Sequence, residues 1–93
     1  MKLFADYGPL SYVTVDGNLL GASTGLAYCV FGGSNAAKPY KADHIVFVNN
    51  VFQRGTNSSC GAYGPVTDFD TERPSNRWAN NVWDDGRPVA AKQ

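Results

Sequence analysis

Much of what marks a catalytic centre is scarce in this chain. It has one histidine, His44, one methionine and two cysteines, Cys29 and Cys60. Two cysteines and one histidine fall short of a four-ligand structural zinc site. Two cysteines are also too few for a disulfide framework. They read either as two small buried side chains or as one bridge in an oxidising compartment. Net charge is absent, because eight basic and eight acidic residues cancel. There is thus no basic stripe for nucleic acid and no pull toward anionic membranes. No apolar run approaches the roughly 18 residues of a membrane span. Asp6 follows Met1–Ala5 at once, which leaves no apolar signal-peptide stretch. The expectation is a chain that is not exported by a signal, or one that is a piece of something longer. No glycine-rich phosphate loop leads from a strand into a helix. Lys, Glu, Leu and Met are scarce, and no helical period persists beyond about one turn.

Gly, Asn, Val, Tyr and Phe are plentiful, which is the chemistry of strands and tight corners. Ninety-three residues make one domain at most, with a modest core. An internal repeat organises them. Val13–Leu20, Ile45–Phe52 and Asn76–Trp83 align without gaps. Val15, Phe47 and Trp78 form one apolar column, Leu19, Val51 and Val82 a second, and Leu20, Phe52 and Trp83 a third. Asn18, Asn50 and Asn81 form an all-asparagine column, spaced by 32 and then 31 residues. A second repeat interleaves with it. Tyr7-Gly8-Pro9-Leu10 matches Tyr63-Gly64-Pro65-Val66, and Gly25–Gly32 between them has a similar character.

Constant strands joined by variable connections predict an all-β solenoid. The specific expectation is a right-handed parallel β-helix of about three short coils, roughly 1–23, 24–56 and 57–89, with a tail at 90–93. Asparagine at a corner can bond to its own backbone and to the asparagine above and below. Asn18, Asn50 and Asn81 are therefore expected to form a structural ladder.

Ala5–Leu10 leading to Val13–Asn18, then Asn49–Gly55, Gly61–Thr67 and Asn80–Val89 resemble the C-terminal coils of right-handed β-helix proteins. These occur in actinobacteria and their phages and are distantly similar to pectate-lyase-type helices. Asn80–Val89 is the most specific part. The resemblance brings no catalytic motif onto this segment, and it implies that the chain is the end of a longer helix.

Several residues are candidates for chemistry. Asp68, Asp70 and Glu72 alternate, so an extended backbone would put them on one face. Such carboxylates, with Arg73 and Arg77 beside them, suit acid–base work on a glycan or calcium ligation, or else form a solvated loop. Calcium is the only cofactor this pattern offers; no other metal site is expected. Asp84-Asp85-Gly86 reads as a turn with a metal or sugar contact as its functional alternative. His44 stands at the entrance of a strand starting at Ile45. It reads as structural, the alternative being a Cys–His pair with Cys29 or Cys60. Tyr12, Tyr28, Tyr40, Tyr63, Trp78 and Trp83 either fill the interior or offer rings to a polysaccharide. Tyr63, Asp84 and Asp85 are the ligand-binding candidates. Asn57-Ser58-Ser59 matches a glycosylation acceptor pattern without meaning in a bacterial or phage context.

The expected function is that of a structural or carbohydrate-contacting module in a phage tail or cell-surface assembly. It would sit outside the cell or on the virion surface and have no catalysis of its own. The alternative is a fragment of a polysaccharide lyase or hydrolase working through Asp68, Asp70, Arg73 and Arg77. An uncapped first coil would expose strand edges. Its expected partner is another copy, or a larger protein assembly, against that end.

Overall fold

The structure, a computed structural model, describes residues 1–3, 8, 10–23, 25–34, 41–56 and 58–92. Their strands are short, and Asn18, Asn50 and Asn81 stand immediately before three of them. In chain order they are β1 (Lys2–Leu3), β2 (Leu10–Asp16), β3 (Leu19–Leu20), β4 (Tyr28–Gly32), β5 (Ala42–Val48), β6 (Val51–Phe52), β7 (Gly64–Thr67), β8 (Arg77–Ala79) and β9 (Val82–Trp83). Each pairs only with counterparts three places away. The sheets are β1-β4-β7, β2-β5-β8 and β3-β6-β9, and every pair within them is parallel.

The register matches the aligned columns. Val15 faces Phe47, which faces Trp78. Leu19 faces Val51, which faces Val82. The architecture differs from the expected one. In place of a right-handed β-helix the described residues form three separate three-stranded sheets, none of them closed. The physical reason lies in the corners. Gly17, Asn49 and Asn80, with φ of 72°, 59° and 54°, interrupt the backbone at equivalent positions and end one ladder before the next begins. A repeat specifies which residues stack, not whether the stacked strands join into one wall.

The tyrosine repeat is corrected as well. Lys2 faces Phe31, and Phe31 faces Thr67. The counterpart of β7 in the first third is therefore β1, not Tyr7–Leu10. Leu10 belongs to β2, opposite Ala42. Tyr7 and Pro9 themselves lie outside the described residues.

The core gathers one face from each sheet. Val15, Ile45 and Phe47 come from the β2-β5-β8 sheet, Val30 and Val66 from β4 and β7, and Phe52 from β6. Phe69 and Val89 close it from the loops. Trp78 is the hub, with its ring centroid 5.4 Å from Phe47, 5.9 Å from Phe52 and 5.2 Å from Phe69. Its indole N–H donates to the Val89 carbonyl at 2.7 Å. That bond fastens the C-terminal segment, as do Val89 N–H to Asn81 O at 2.8 Å and Phe69 N–H to Lys92 O at 3.0 Å.

The asparagine column lies at the turn between the second and third sheets. Asn50 is fully buried and Asn81 nearly so. Asn18 donates its backbone N–H to Asn50 Oδ1 at 2.9 Å, and Asn50 donates its own to Asn81 Oδ1 at 3.2 Å. The amide groups reach back: Asn50 Nδ2 donates to Val15 O at 3.0 Å and Asn81 Nδ2 to Phe47 O at 2.8 Å. Each buried amide thus satisfies backbone groups that the corner leaves without ladder partners. An outer row runs alongside, Asn80 Nδ2 to Asn49 Oδ1 at 2.8 Å and Asn49 Nδ2 to Asp16 Oδ1 at 3.2 Å.

Cys29, in β4, and Cys60 form a disulfide across 31 residues. Gly32, at the end of β4, lets residues 68–69 cross closely above it. A Cβ there would lie 2.7 Å from Phe69 Cα and 3.0 Å from Asp68 O. Backbone would have to move, so Gly32→Ala is expected to cost about 1–3 kcal/mol. The reading is a lower urea midpoint at unchanged slope, and an unmoved midpoint would contradict the crossing.

Candidate functional site

Two features face solvent. The first arises in β2 and β5, which are bent at the same register. Tyr12 has φ of 59° and His44 of 50°, between the pairs Ser11–Asp43 and Val13–Ile45. Bulky residues seldom adopt this left-handed backbone. Here it breaks the in–out alternation, so Asp43 and His44 both stand between buried Ala42 and buried Ile45. Tyr12 and His44 consequently stack face to face, with centroids 4.2 Å apart and planes 19° from parallel. The Tyr12 side of the stack is open, the residue being 76% exposed.

Polar groups frame this platform. Ser11 Oγ donates to Asp43 Oδ1 at 2.6 Å, and His44 Nδ1 lies 3.2 Å from the same oxygen. His44 N–H donates to Ser75 Oγ at 3.1 Å. The Ser11 hydrogen bond, followed by that of His44, holds the Asp43 carboxyl below its ordinary pKa. The carboxylate sits between hydroxyl and imidazole. It orients the ring, and it is the carboxylate that accepts the Ser11 hydrogen bond.

The second feature is an open groove of about 400 Å³ where the chain leaves β3, β6 and β9. Ala22, Ser23, Gln53, Thr56, Cys60 and Asp84 are among its walls. Gln53 Oε1 accepts the Ala22 N–H at 3.3 Å, and the disulfide anchors Cys60. Arg54 stands beside it. Its Nε donates to Asp85 Oδ2 at 3.1 Å, its Nη1 donates to Ser58 O at 3.1 Å, and its guanidinium lies 4.3 Å from the Trp83 ring centroid. Asp85 also accepts the Arg87 backbone N–H at 3.0 Å. That bond first, and the Arg54 contact after it, keep the Asp85 carboxyl below its usual range.

The candidates named from sequence are scattered over these features and beyond them. Asp84 lines the groove and Asp85 borders it through Arg54. Tyr63 is 77% exposed, tilted against Tyr28 with centroids 6.1 Å apart. Asp68, Asp70 and Glu72 do not share an extended face. The strand ends at Thr67, Asp68 has φ of 61°, and the following residues form turns. Asp68 accepts a hydrogen bond from Thr67 Oγ1 at 3.4 Å. Asp70 accepts the Glu72 N–H and lies 3.5 Å from Arg73. Arg77 is exposed in β8, opposite Val46. Among the described residues, no three of His, Cys, Asp and Glu stand close enough to hold a metal ion. Both cysteines are in the disulfide, so the Cys–His alternative loses its thiolate. His44 lies inside β5 rather than at a strand entrance. Tyr40 and Asn57 lie outside the described residues.

The platform escaped sequence reasoning because left-handed backbone at Tyr and His leaves no compositional trace. The bridge had a signal. Cys29 and Cys60 are separated by the same 31 residues as Asn50 and Asn81, which is the repeat spacing. No protein-family model, curated protein or solved structure matches the chain.

Proposed function

We propose that this chain is a carbohydrate-contacting structural module of a surface assembly, without catalysis of its own. The observation that carries this reading is the Tyr12–His44 platform. Two bulky residues are held in left-handed backbone at equivalent positions of neighbouring strands. Conformations of this kind cost on the order of 1–3 kcal/mol each and cluster at binding sites. The result is an exposed ring with a hydroxyl and a carboxylate at its border. An aromatic surface beside a few fixed polar groups suits a sugar, which has an apolar ring face and a hydroxylated rim. The lyase or hydrolase alternative gains no support from Asp68, Asp70, Arg73 and Arg77, since Asp70 is tied to Arg73 and Arg77 stands apart in β8.

The test is a panel of neutral, N-acetylated and acidic oligosaccharides, with Tyr12→Gly as the variant. Glycine accepts a φ of 59° without strain. Folding stability should therefore hold or rise while affinity falls about tenfold, equivalent to about 1.4 kcal/mol. Equal affinity of Tyr12→Gly, or no glycan bound by the native chain, would sink the proposal.

A further inference from the structure

The groove differs from the platform in its chemistry. Among the described lining residues, Asp84 is the one ionisable side chain. Arg54, beside the groove, is engaged by Asp85, the Ser58 carbonyl and the face of Trp83. The other polar walls are neutral. Ser23 and Thr56 offer hydroxyls. Gln53 spends its oxygen on the Ala22 N–H, which leaves its amide NH2 to donate. The ring face of Trp83 is already covered by Arg54, so the groove recognises by hydrogen bonds and charge rather than by stacking.

Those features select a ligand class. An anion would meet Asp84 with no cationic side chain among the described lining residues. A neutral polyol would use the hydroxyls and the amide but not the charge. An ammonium group on a hydroxylated ring would use all of them. A volume of about 400 Å³ lies within the range of small-ligand sites. We infer that the groove lined by Ser23, Gln53, Thr56 and Asp84 is a subsite for a cationic amino sugar, its ammonium on Asp84 and its hydroxyls on the neutral walls. The inference rests on the carbohydrate reading and deepens it, because it gives the glycan a charge and a second point of contact.

The experiment compares glucosamine hexasaccharide with its fully N-acetylated counterpart, on the intact disulfide-bonded chain, at a pH where the amine is protonated. The amino form should bind about fivefold more tightly, the upper range for an exposed ion pair. That preference should shrink in 1 M salt, where the screening length falls to about 3 Å. Asp84→Asn should abolish the preference while leaving binding of the N-acetylated form unchanged, and Tyr12→Gly should weaken both forms alike. Equal binding of the two forms by the native chain, or a preference that survives Asp84→Asn, would overturn the groove assignment and leave the platform standing. If no glycan binds at all, the carbohydrate reading and this inference fail together.

Discussion

Asn50→Ala is expected to lower the unfolding free energy by about 3–5 kcal/mol, whereas Asn18→Ala should cost no more than about 1 kcal/mol. The two residues occupy the same column and differ in burial and in what depends on them. Asn50 is fully buried. Its amide donates to the Val15 carbonyl and to Asn81 Oδ1 at 2.8 Å, while its Oδ1 accepts the Asn18 N–H and, at 3.3 Å, Asn18 Nδ2. Truncation strands the buried carbonyl of Val15 and the Asn18 N–H. Each orphaned group costs about 1–3 kcal/mol, and the void left by a fully buried side chain adds a cavity penalty. Asn18 is exposed, and its amide bonds back to Asp16 O at 3.1 Å, where water can take its place. Urea unfolding of both variants checks this, through midpoints compared at equal slope. Similar losses at both positions would mean that burial does not set the value of the ladder. A loss below about 1 kcal/mol at Asn50 would mean that ordered water replaces the amide.

Reduction of Cys29–Cys60, or replacement of both cysteines by serine, is expected to remove about 3–4 kcal/mol. The bridge spans 31 residues, and closing a loop of that length in the unfolded chain corresponds to this much chain entropy. For a domain of this size the loss is large, because total stability is typically about 5–15 kcal/mol. A reducing compartment would impose the same loss. Cys60 also forms part of the groove wall, so reduction should weaken amino-sugar binding more than contact at Tyr12. Parallel unfolding curves with and without a dithiol provide the measurement. A shift under about 1 kcal/mol would show that the native contacts already restrain the chain without the bridge.

Some of this was legible in the residues and some was not, and the division follows range. Parallel stacking of like on like is nearly one-dimensional. The spacing of Asn18, Asn50 and Asn81, and the columns headed by Val15, Leu19 and Leu20, therefore predict strand register directly. The tyrosine motif misled because a short turn sequence can recur without structural equivalence: Lys2, not Tyr7–Leu10, stands opposite Phe31. Asp68, Asp70 and Glu72 misled because their alternation has meaning only on extended backbone, and the chain turns at Asp68.

By itself, then, the amino-acid order determined that this is a strand-rich chain and which residues lie over which, because apolar columns and asparagine corners recur at a fixed spacing. The tertiary structure decided the rest. It decided that the strands form three separate sheets, with left-handed corners at Gly17, Asn49 and Asn80 ending the β2-β5-β8 ladder before the β3-β6-β9 ladder begins. It decided that Cys29 and Cys60 are joined, and that Tyr12 stacks on His44 beside Asp43 while Asp84 lines a groove with Ser23, Gln53 and Thr56. Those outcomes depend on backbone dihedrals and on contacts between residues more than thirty positions apart, as at Tyr12 and His44, and no local pattern encodes them.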